Sequence, residues 1–244
     1  MIKLFANFPK TRIDLPDSYK EIYNKHYKVN REGKTLATSL SMFMESWMHQ
    51  KTAKDVHQIK NKTTLEIGAG TLNHLKYETS ILYDIVEPFQ KLYEQSPYIK
   101  QINNIYQDIS HIEETRKYDR IISIATFEHI LNLPEVIYKT CKLLDKNGTL
   151  RVAIPNEGTF IWKLGWKLTT GIEYKLKYGL DYSLLMRHEH VNTANEIEDT
   201  LKFFYKDVKI SYSAIFKPLS FYCFFTCSSP DAQNLQQYKA AFPD

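Results

Sequence analysis

The sequence lacks most of what would mark a specialised class. It has three cysteines, Cys141, Cys223 and Cys227, with no metal-ligand spacing between them. An odd count of that kind argues against a disulfide framework and against a zinc module. Neither charge dominates: 32 Lys and Arg stand against 28 Asp and Glu, the signs are well mixed, and the net charge is +4. Without a long basic run the chain has no electrostatic footprint for nucleic acid, although it would tolerate an anionic small molecule. Long apolar runs are missing too. The opening MIKLFANFPK is too short to be the core of a signal peptide. The stretch from Leu219 to Cys227 is too short to span a bilayer. These absences predict a cytoplasmic chain with no membrane insertion. There is no internal repeat, low-complexity segment or linker. What remains is 244 residues, 43% hydrophobic and 25% charged, enough for one good core with an appended lobe.

What is present centres on TLEIGAGTLNHL, from Thr64 to Leu75. Leu65 and Ile67 read as a buried strand, Gly68, Ala69 and Gly70 as a turn, and Thr71 as the start of a helix. Glycines let the backbone turn tightly and approach a ligand, because they have no Cβ. The helix start would offer unpaired N–H groups to that ligand. A dinucleotide fingerprint wants a third glycine where this chain has Asn73. The strand before the loop instead carries an acid, Glu66.

The chain continues as alternating strands and helices. Ile81 to Val86 reads as a second strand ending in Glu87, roughly 20 residues past the first glycine, where a carboxylate can hold ribose hydroxyls. Pro88 would start the next helix, whose N-terminus Glu87 could simply favour. Ile102 to Tyr106 is a weaker third strand. Asp108 follows it, with the cap of a short helix near His111 to Thr115 as its plainer alternative. Ile121, Ile122 and Ile124 form a fourth strand, with Ala125 to His129 as the loop after it. The helix LPEVIYKTCKLL, the stop Asn147-Gly148 and the strand TLRVAIP come next. From Pro155 to Asn192 the pattern is irregular, aromatic and basic, and a loop that long is expected to be functional. Thr193 and Glu196 form a capping box for TANEIEDTLKFF. Val208 to Ile215 and Ser220 to Cys227 read as an antiparallel pair around Lys217-Pro218. The polar tail from Ser228 is expected to be loosely held.

Upstream of the glycine loop, Ser18 and Glu21 form a capping box opening SYKEIYNKHY. Leu40, Phe43, Met44, Trp47 and Met48 recur at helical spacing, either for core packing or as a helix lying over a cofactor. Tyr27, Asn30, Arg31, Lys34 and Ser41 would line a pocket or form a solvated surface.

The glycine loop with Glu66, the acids Glu87 and Asp108, the Glu128-His129 pair and the terminal strand pair together resemble the class I S-adenosylmethionine (SAM) dependent methyltransferases. The resemblance implies an α/β, doubly wound, Rossmann-like sheet of seven mostly parallel strands, one of them antiparallel. Residues 1–62 would form an N-terminal helical cap. Residues 63–228 would form the SAM-binding domain, with an acceptor-site insertion at 155–192, and 229–244 the tail. SAM is the implied cofactor. Glu66, Gly68, Gly70 and Thr71 would hold its methionine end, with Ala125 and Thr126 opposite. Glu87 would hold the ribose, Asp108 and Ile109 the adenine, and Ala69 and Pro88 complete the cofactor set. In this family the Glu128-His129 pair shapes the site without doing the chemistry.

The acceptor is expected at Arg187, His188 and His190, assigned here as the candidate catalytic residues. A histidine there can remove a hydroxyl proton near neutral pH. Arg187 can hold an anion. His-x-His can bind a metal, but no further ligand cluster supports this and no metal is expected. A helix-entry loop held by side-chain hydrogen bonds is the plainer alternative. Tyr27, Arg31 and Lys34 are the expected substrate-binding residues. The stretches LPDSYKEIYNKHYKVNREGK and GLDYSLLMRHEHVNT look like a bacterial subgroup found in capsule and lipopolysaccharide gene clusters. Some of those enzymes methylate a phosphoramidate on the capsule. That likeness implies transfer of a methyl group to an oxygen of a small polar acceptor (a sugar, nucleotide sugar, phosphate or phosphoramidate) in surface polysaccharide biosynthesis. Two rivals stand beside it. An NAD-dependent oxidoreductase is opposed by Asn73 and the terminal strand pair. A non-catalytic scaffold is opposed by the intact Glu87 and Asp108.

Overall fold

The computed structural model describes residues 2–23, 39–56, 62–79 and 82–243, with the backbone alone for 39–45. Tyr27, Asn30, Arg31 and Lys34 lie outside the described residues, as does the Ser41 side chain. Among the described residues no helix is long and apolar enough to cross a membrane.

Seven strands form one sheet: β1 (Thr63–Ile67), β2 (Leu82–Val86), β3 (Asn104–Tyr106), β4 (Tyr118–Ile124), β5 (Leu144–Pro155), β6 (Tyr205–Tyr212) and β7 (Tyr222–Pro230). Their spatial order is β3-β2-β1-β4-β5-β7-β6. β1 to β5 are mutually parallel, and β7 runs antiparallel to both β5 and β6. The expected seven-stranded, mostly parallel α/β sheet is the one observed. Chain order reverses between β1 and β4, and there the loops diverge and leave a crevice at the strand ends.

One face of the sheet packs on α4 (Leu133–Leu143), α8 (Ala194–Phe204) and α9 (Ala232–Ala241). α8 begins with the expected Thr193–Glu196 capping box, both reciprocal bonds being present. On the other face Leu72, Leu75, Tyr83, Ile85 and Ile122 form a second cluster. Helix α2 (Ser39–Ala53) lies against the sheet through Met48, which packs with Ile124, Ala153 and Phe224.

A buried charge network fastens the end of α2 to the sheet. Arg120, 0% exposed on β4, donates to Asp55, Thr64 Oγ1 on β1, Glu78 and the Thr52 carbonyl. Arg151 on β5 donates to the carbonyls of Thr52 and Lys51. The last carbonyls of a helix have no partner within it and carry its negative pole, so two guanidiniums are well matched there.

The structure corrects four expectations. No α-helix opens at Thr71: a 3-10 turn, Asn73–Tyr77, follows instead, with Leu72 in the left-handed region. The helix expected at Pro88 is α3 (Gln90–Tyr93), one turn long. The irregular stretch after β5 is mostly helical. It forms α5 (Phe160–Trp166), a π turn (Lys167–Gly171), α6 (Ile172–Tyr178) and α7 (Tyr182–Glu189). Tyr174 of α6 and Leu185 of α7 share a small core with Leu15 and with Tyr19 of α1, a helix described over residues 17–23. The tail is not loose: Asp231 caps α9, and Tyr238, 3% exposed, packs on Phe5, Phe204 and Tyr138. Burying one aromatic side chain stabilises by about 1.5–3 kcal/mol, enough to dock a short helix that its polar face would leave free.

Candidate functional site

A cavity of about 690 Å³ opens at the C-terminal ends of β1, β2 and β4. Its first end is built from backbone. Gly68 has φ +74 and a Cβ there would collide with the Thr126 side chain, so the loops after β1 and β4 meet only because residue 68 is glycine. Gly70 has φ +53 with open space beside it, which leaves its backbone accessible from the cavity.

Glu87 is 2% exposed, yet it faces this cavity. Its Oε2 accepts the Gly70 N–H at 2.8 Å and its Oε1 the Phe89 N–H at 3.0 Å. Each oxygen keeps a lone pair for a further donor. The carboxylate thus locks the glycine loop as well as serving the start of α3. Asp108 also lines the wall while accepting from Ser110 N and Oγ, and these bonds hold its carboxyl below the usual range against the opposing effect of burial. Glu66 is fully enclosed except toward the cavity. Burial pushes its pKa up to about 8, Tyr83's hydroxyl (2.8 Å) pulls the other way, and Glu78 and Glu87 add to the rise. All eleven residues expected at the cofactor, Glu66, Gly68, Ala69, Gly70, Thr71, Glu87, Pro88, Asp108, Ile109, Ala125 and Thr126, line this one cavity. Met48 and His49 of α2 cover it, which joins the core-packing reading of that helix to the covering one.

The other end is built from side chains. Arg12, Tyr23, His129, Ile130, His188 and Glu189 line it. Of the three residues expected to be catalytic, only His188 reaches the wall, and its Nδ1–H donates to the Ile13 carbonyl at 2.7 Å. Arg187 is exposed and does not border the cavity. In a helix it projects opposite the buried face that Leu185 and Met186 define. His190 lies behind the wall, its Nδ1 3.0 Å from Glu157 Oε2.

The guanidinium at this end is Arg12's. It donates to the carbonyls of His188 (2.7 Å), Glu189 (3.2 Å) and His129 (3.1 Å), and lies 3.7 Å from the Glu189 carboxylate. His129 sits 2.9 Å from the Glu189 carbonyl through Nδ1. Burial alone would lower its pKa, but Glu189 and Glu128 raise it above the ordinary value. Burial would raise Glu189, but bonds from His129 and Tyr23, with Arg12 nearby, hold it down at about 2. Sequence reasoning missed Arg12 and set His129 aside. Arg12 carries no local signal, being a lone arginine in an irregular segment, whereas Glu128-His129 was a visible pair with no visible partner.

No protein-family model matches the sequence, and no curated protein is similar enough to match. Solved structures do resemble it. The plantazolicin methyltransferase BpumL, in complex with a monoazolic desmethylPZN analog and SAH, superposes with a TM-score of 0.61 at 15% identity, covering 86% of this chain and 92% of that one. Magnesium protoporphyrin IX methyltransferase from Synechocystis PCC 6803, with bound SAH, gives 0.54 at 13%, over 88% and 100%. A SAM-dependent methyltransferase from Thermotoga maritima, described as a possible histamine N-methyltransferase, gives 0.53 at 13%, over 87% and 98%. The fold of this chain is therefore the one found in SAM-dependent methyltransferases that act on chemically unlike acceptors.

Proposed function

We propose that this protein is a SAM-dependent methyltransferase that acts on an oxygen of a small polar acceptor. The observation that carries the reading is one continuous cavity. A glycine loop and the doubly bonded Glu87 form its first end, and an Arg–His–carboxylate cluster forms its second. The residues fit the donor. Glu87 keeps lone pairs for ribose hydroxyls, Ile109 offers an apolar wall to a base, and the open backbone at Gly70 admits a close chain. Bound there, SAM supplies a methyl group that an acceptor lone pair takes as the S–C electron pair returns to sulfur.

Such a displacement needs positioning above all. Arg12 braces the second end by tying α7 to the loop after β4. His129 and His188 are the imidazoles at that end, His129 oriented by the Glu189 carbonyl and His188 by that of Ile13. A phosphate or phosphoramidate oxygen, already negative, would need only donors, whereas a sugar hydroxyl would need His129 or His188 as base. The likeness of the N-terminal and α7 sequences to capsule-cluster enzymes supports sugars, nucleotide sugars and phosphoramidates of surface polysaccharide as the acceptors to try. Tyr27, Arg31 and Lys34 remain proposed substrate contacts. The test is calorimetry with SAM, S-adenosylhomocysteine and NAD, followed by labelled-methyl transfer to those acceptors, to peptides and to RNA. SAM binding and turnover on a small polar acceptor are expected. NAD binding without SAM binding would overturn the reading, and turnover on peptide or RNA alone would overturn its acceptor class.

A further inference from the structure

Behind the second end of the cavity the fold assembles a cluster that no stretch of sequence displays. One donor atom each from Glu128, His129 and His190 lie within 4.8 Å of one another. Three independent features of this cluster point to a ligand. First, Glu128 is 1% exposed and its Oε2 has no hydrogen-bond partner. A buried carboxylate oxygen left so is costly unless something cationic meets it. Second, both imidazoles are held by Nδ1. That of His129 faces the Glu189 carbonyl at 2.9 Å, and that of His190 faces the Glu157 carboxylate at 3.0 Å. A carbonyl accepts only from N–H, so Nδ1 of His129 carries the proton, and the carboxylate favours the same tautomer in His190. Each Nε2 is left with a lone pair, the orientation by outer partners that metal-binding histidines show. Third, the cluster is rigidly made. Val191 and Asn192 donate backbone N–H groups to the Glu128 carbonyl, at 2.8 and 3.1 Å. The buried Asn192 amide donates to the carbonyls of Phe127 and Ile130, at 2.8 and 2.7 Å. The segment after α7 that carries His190 is thereby stapled to the loop that carries Glu128 and His129. Trp162 Nε1 donates to the Glu157 oxygen that meets His190, which fixes the outer carboxylate in turn.

We propose that Glu128, His129 and His190 bind a single divalent transition-metal ion of the zinc or ferrous class. Two imidazole nitrogens and one carboxylate suit such an ion, whereas Mg²⁺ and Ca²⁺ prefer all-oxygen sites. Three protein ligands leave a coordination position open. His129 also lines the cavity, so that position adjoins the acceptor end. If the methyltransferase reading holds, on which this role rests, the ion would hold the acceptor oxygen as its anion and offset its charge, any hydroxyl proton passing to bulk water rather than to a side-chain base. Imidazole and carboxylate ligands must shed their protons to bind the ion, so binding weakens as pH falls.

The test uses the full chain, freed of metal by dialysis against chelator, and Zn²⁺ alone as titrant in calorimetry. Mg²⁺ serves as the comparison, far-UV circular dichroism as the check that each variant is folded, and S-adenosylhomocysteine binding as a separate readout. One equivalent of Zn²⁺ is expected to bind the wild type, with proton release and little competition from Mg²⁺. Glu157→Gln should weaken binding about 10–100-fold, the usual cost of losing an outer partner. His190→Ala and Glu128→Gln should weaken it more than that, and His188→Gln should leave it unchanged. The absence of saturable Zn²⁺ binding in a folded wild type, or equal affinity in His190→Ala and Glu128→Gln, overturns the proposal. The cluster is then an ion pair around a charged His129. Zn²⁺ binding without binding of the adenosyl ligand would instead leave the metal site standing and remove the methyltransferase reading, and the reverse pattern would do the opposite.

Discussion

The two ends of the cavity are made in different ways. The first end is made of strand ends and their loops: Gly68 and Gly70 after β1, Glu87 after β2, Asp108 after β3, Ala125 and Thr126 after β4. Its key contacts are backbone N–H groups on a buried carboxylate. The second end is made of side chains gathered from far apart in the chain: Arg12 meets the carbonyl of His129 across 117 positions and that of His188 across 176. A parallel sheet fixes the first end as soon as its strands pair. The second end exists only once the N-terminal segment, the loop after β4 and α7 have all docked. One fold can therefore keep the first end and vary the second.

The largest effect should come from the structure beneath both ends. Arg120→Met would leave Glu78 and Asp55 facing a gap where a guanidinium stood. Breaking a buried ion pair from one side costs about 3–5 kcal/mol. Urea unfolding should show a lower midpoint at unchanged slope. A loss below about 1 kcal/mol would mean that the network does not anchor α2.

The first end should show a pH signature of its own. Glu66 has a folded pKa near 8 against an ordinary 4.5, so between these values the folded chain keeps a proton that the unfolded chain gives up. Stability then falls as pH rises through that window, by at most about 1.4 kcal/mol per pH unit. Glu66→Gln keeps an acceptor for Tyr83 and should flatten the dependence, read as thermal midpoints from pH 5 to pH 8. If wild type and variant run parallel, Glu66 is not the buried acid inferred here.

The comparison is sharpest when each end is altered separately. Glu87→Ala removes the acceptor of two N–H groups and should weaken SAM binding by about 1–3 kcal/mol. Because it also frees Gly70, faster exchange of that amide should accompany the loss. Arg12→Ala should leave SAM affinity alone and raise the acceptor KM about tenfold, a cost of about 1.4 kcal/mol, with kcat largely kept. Equal effects of both variants on SAM binding would show that the two ends are one mechanical unit. Arg187→Ala should change least. It is exposed and away from the cavity, so stability should stay within about 0.5 kcal/mol and the kinetics should match wild type. A loss of activity in that variant would place Arg187 at the acceptor.

The sequence by itself determined the order of the strands along the chain, the reversal at β7, the capping box at Thr193 and the strand-end loops of the first end of the cavity. Each of these is written in neighbouring residues. A buried strand needs consecutive apolar side chains, a tight turn needs glycine, and an acid after a strand lands at the sheet's end wherever the strand goes. The tertiary structure alone decided the second end. Arg187, His188 and His190 are neighbours in sequence, but on α7 and its exit they face solvent, the cavity and the Glu157 side in turn. Arg12 is a single arginine in an irregular segment, and the partners that make it structural are carbonyls, which every residue possesses. Helices α6 and α7 carry no local stripe for a related reason. Tyr174 and Leu185 are spaced to meet Leu15 and Tyr19 across the chain. Side-chain convergence depends on the angle at which elements dock, and a local pattern of residues does not encode that angle.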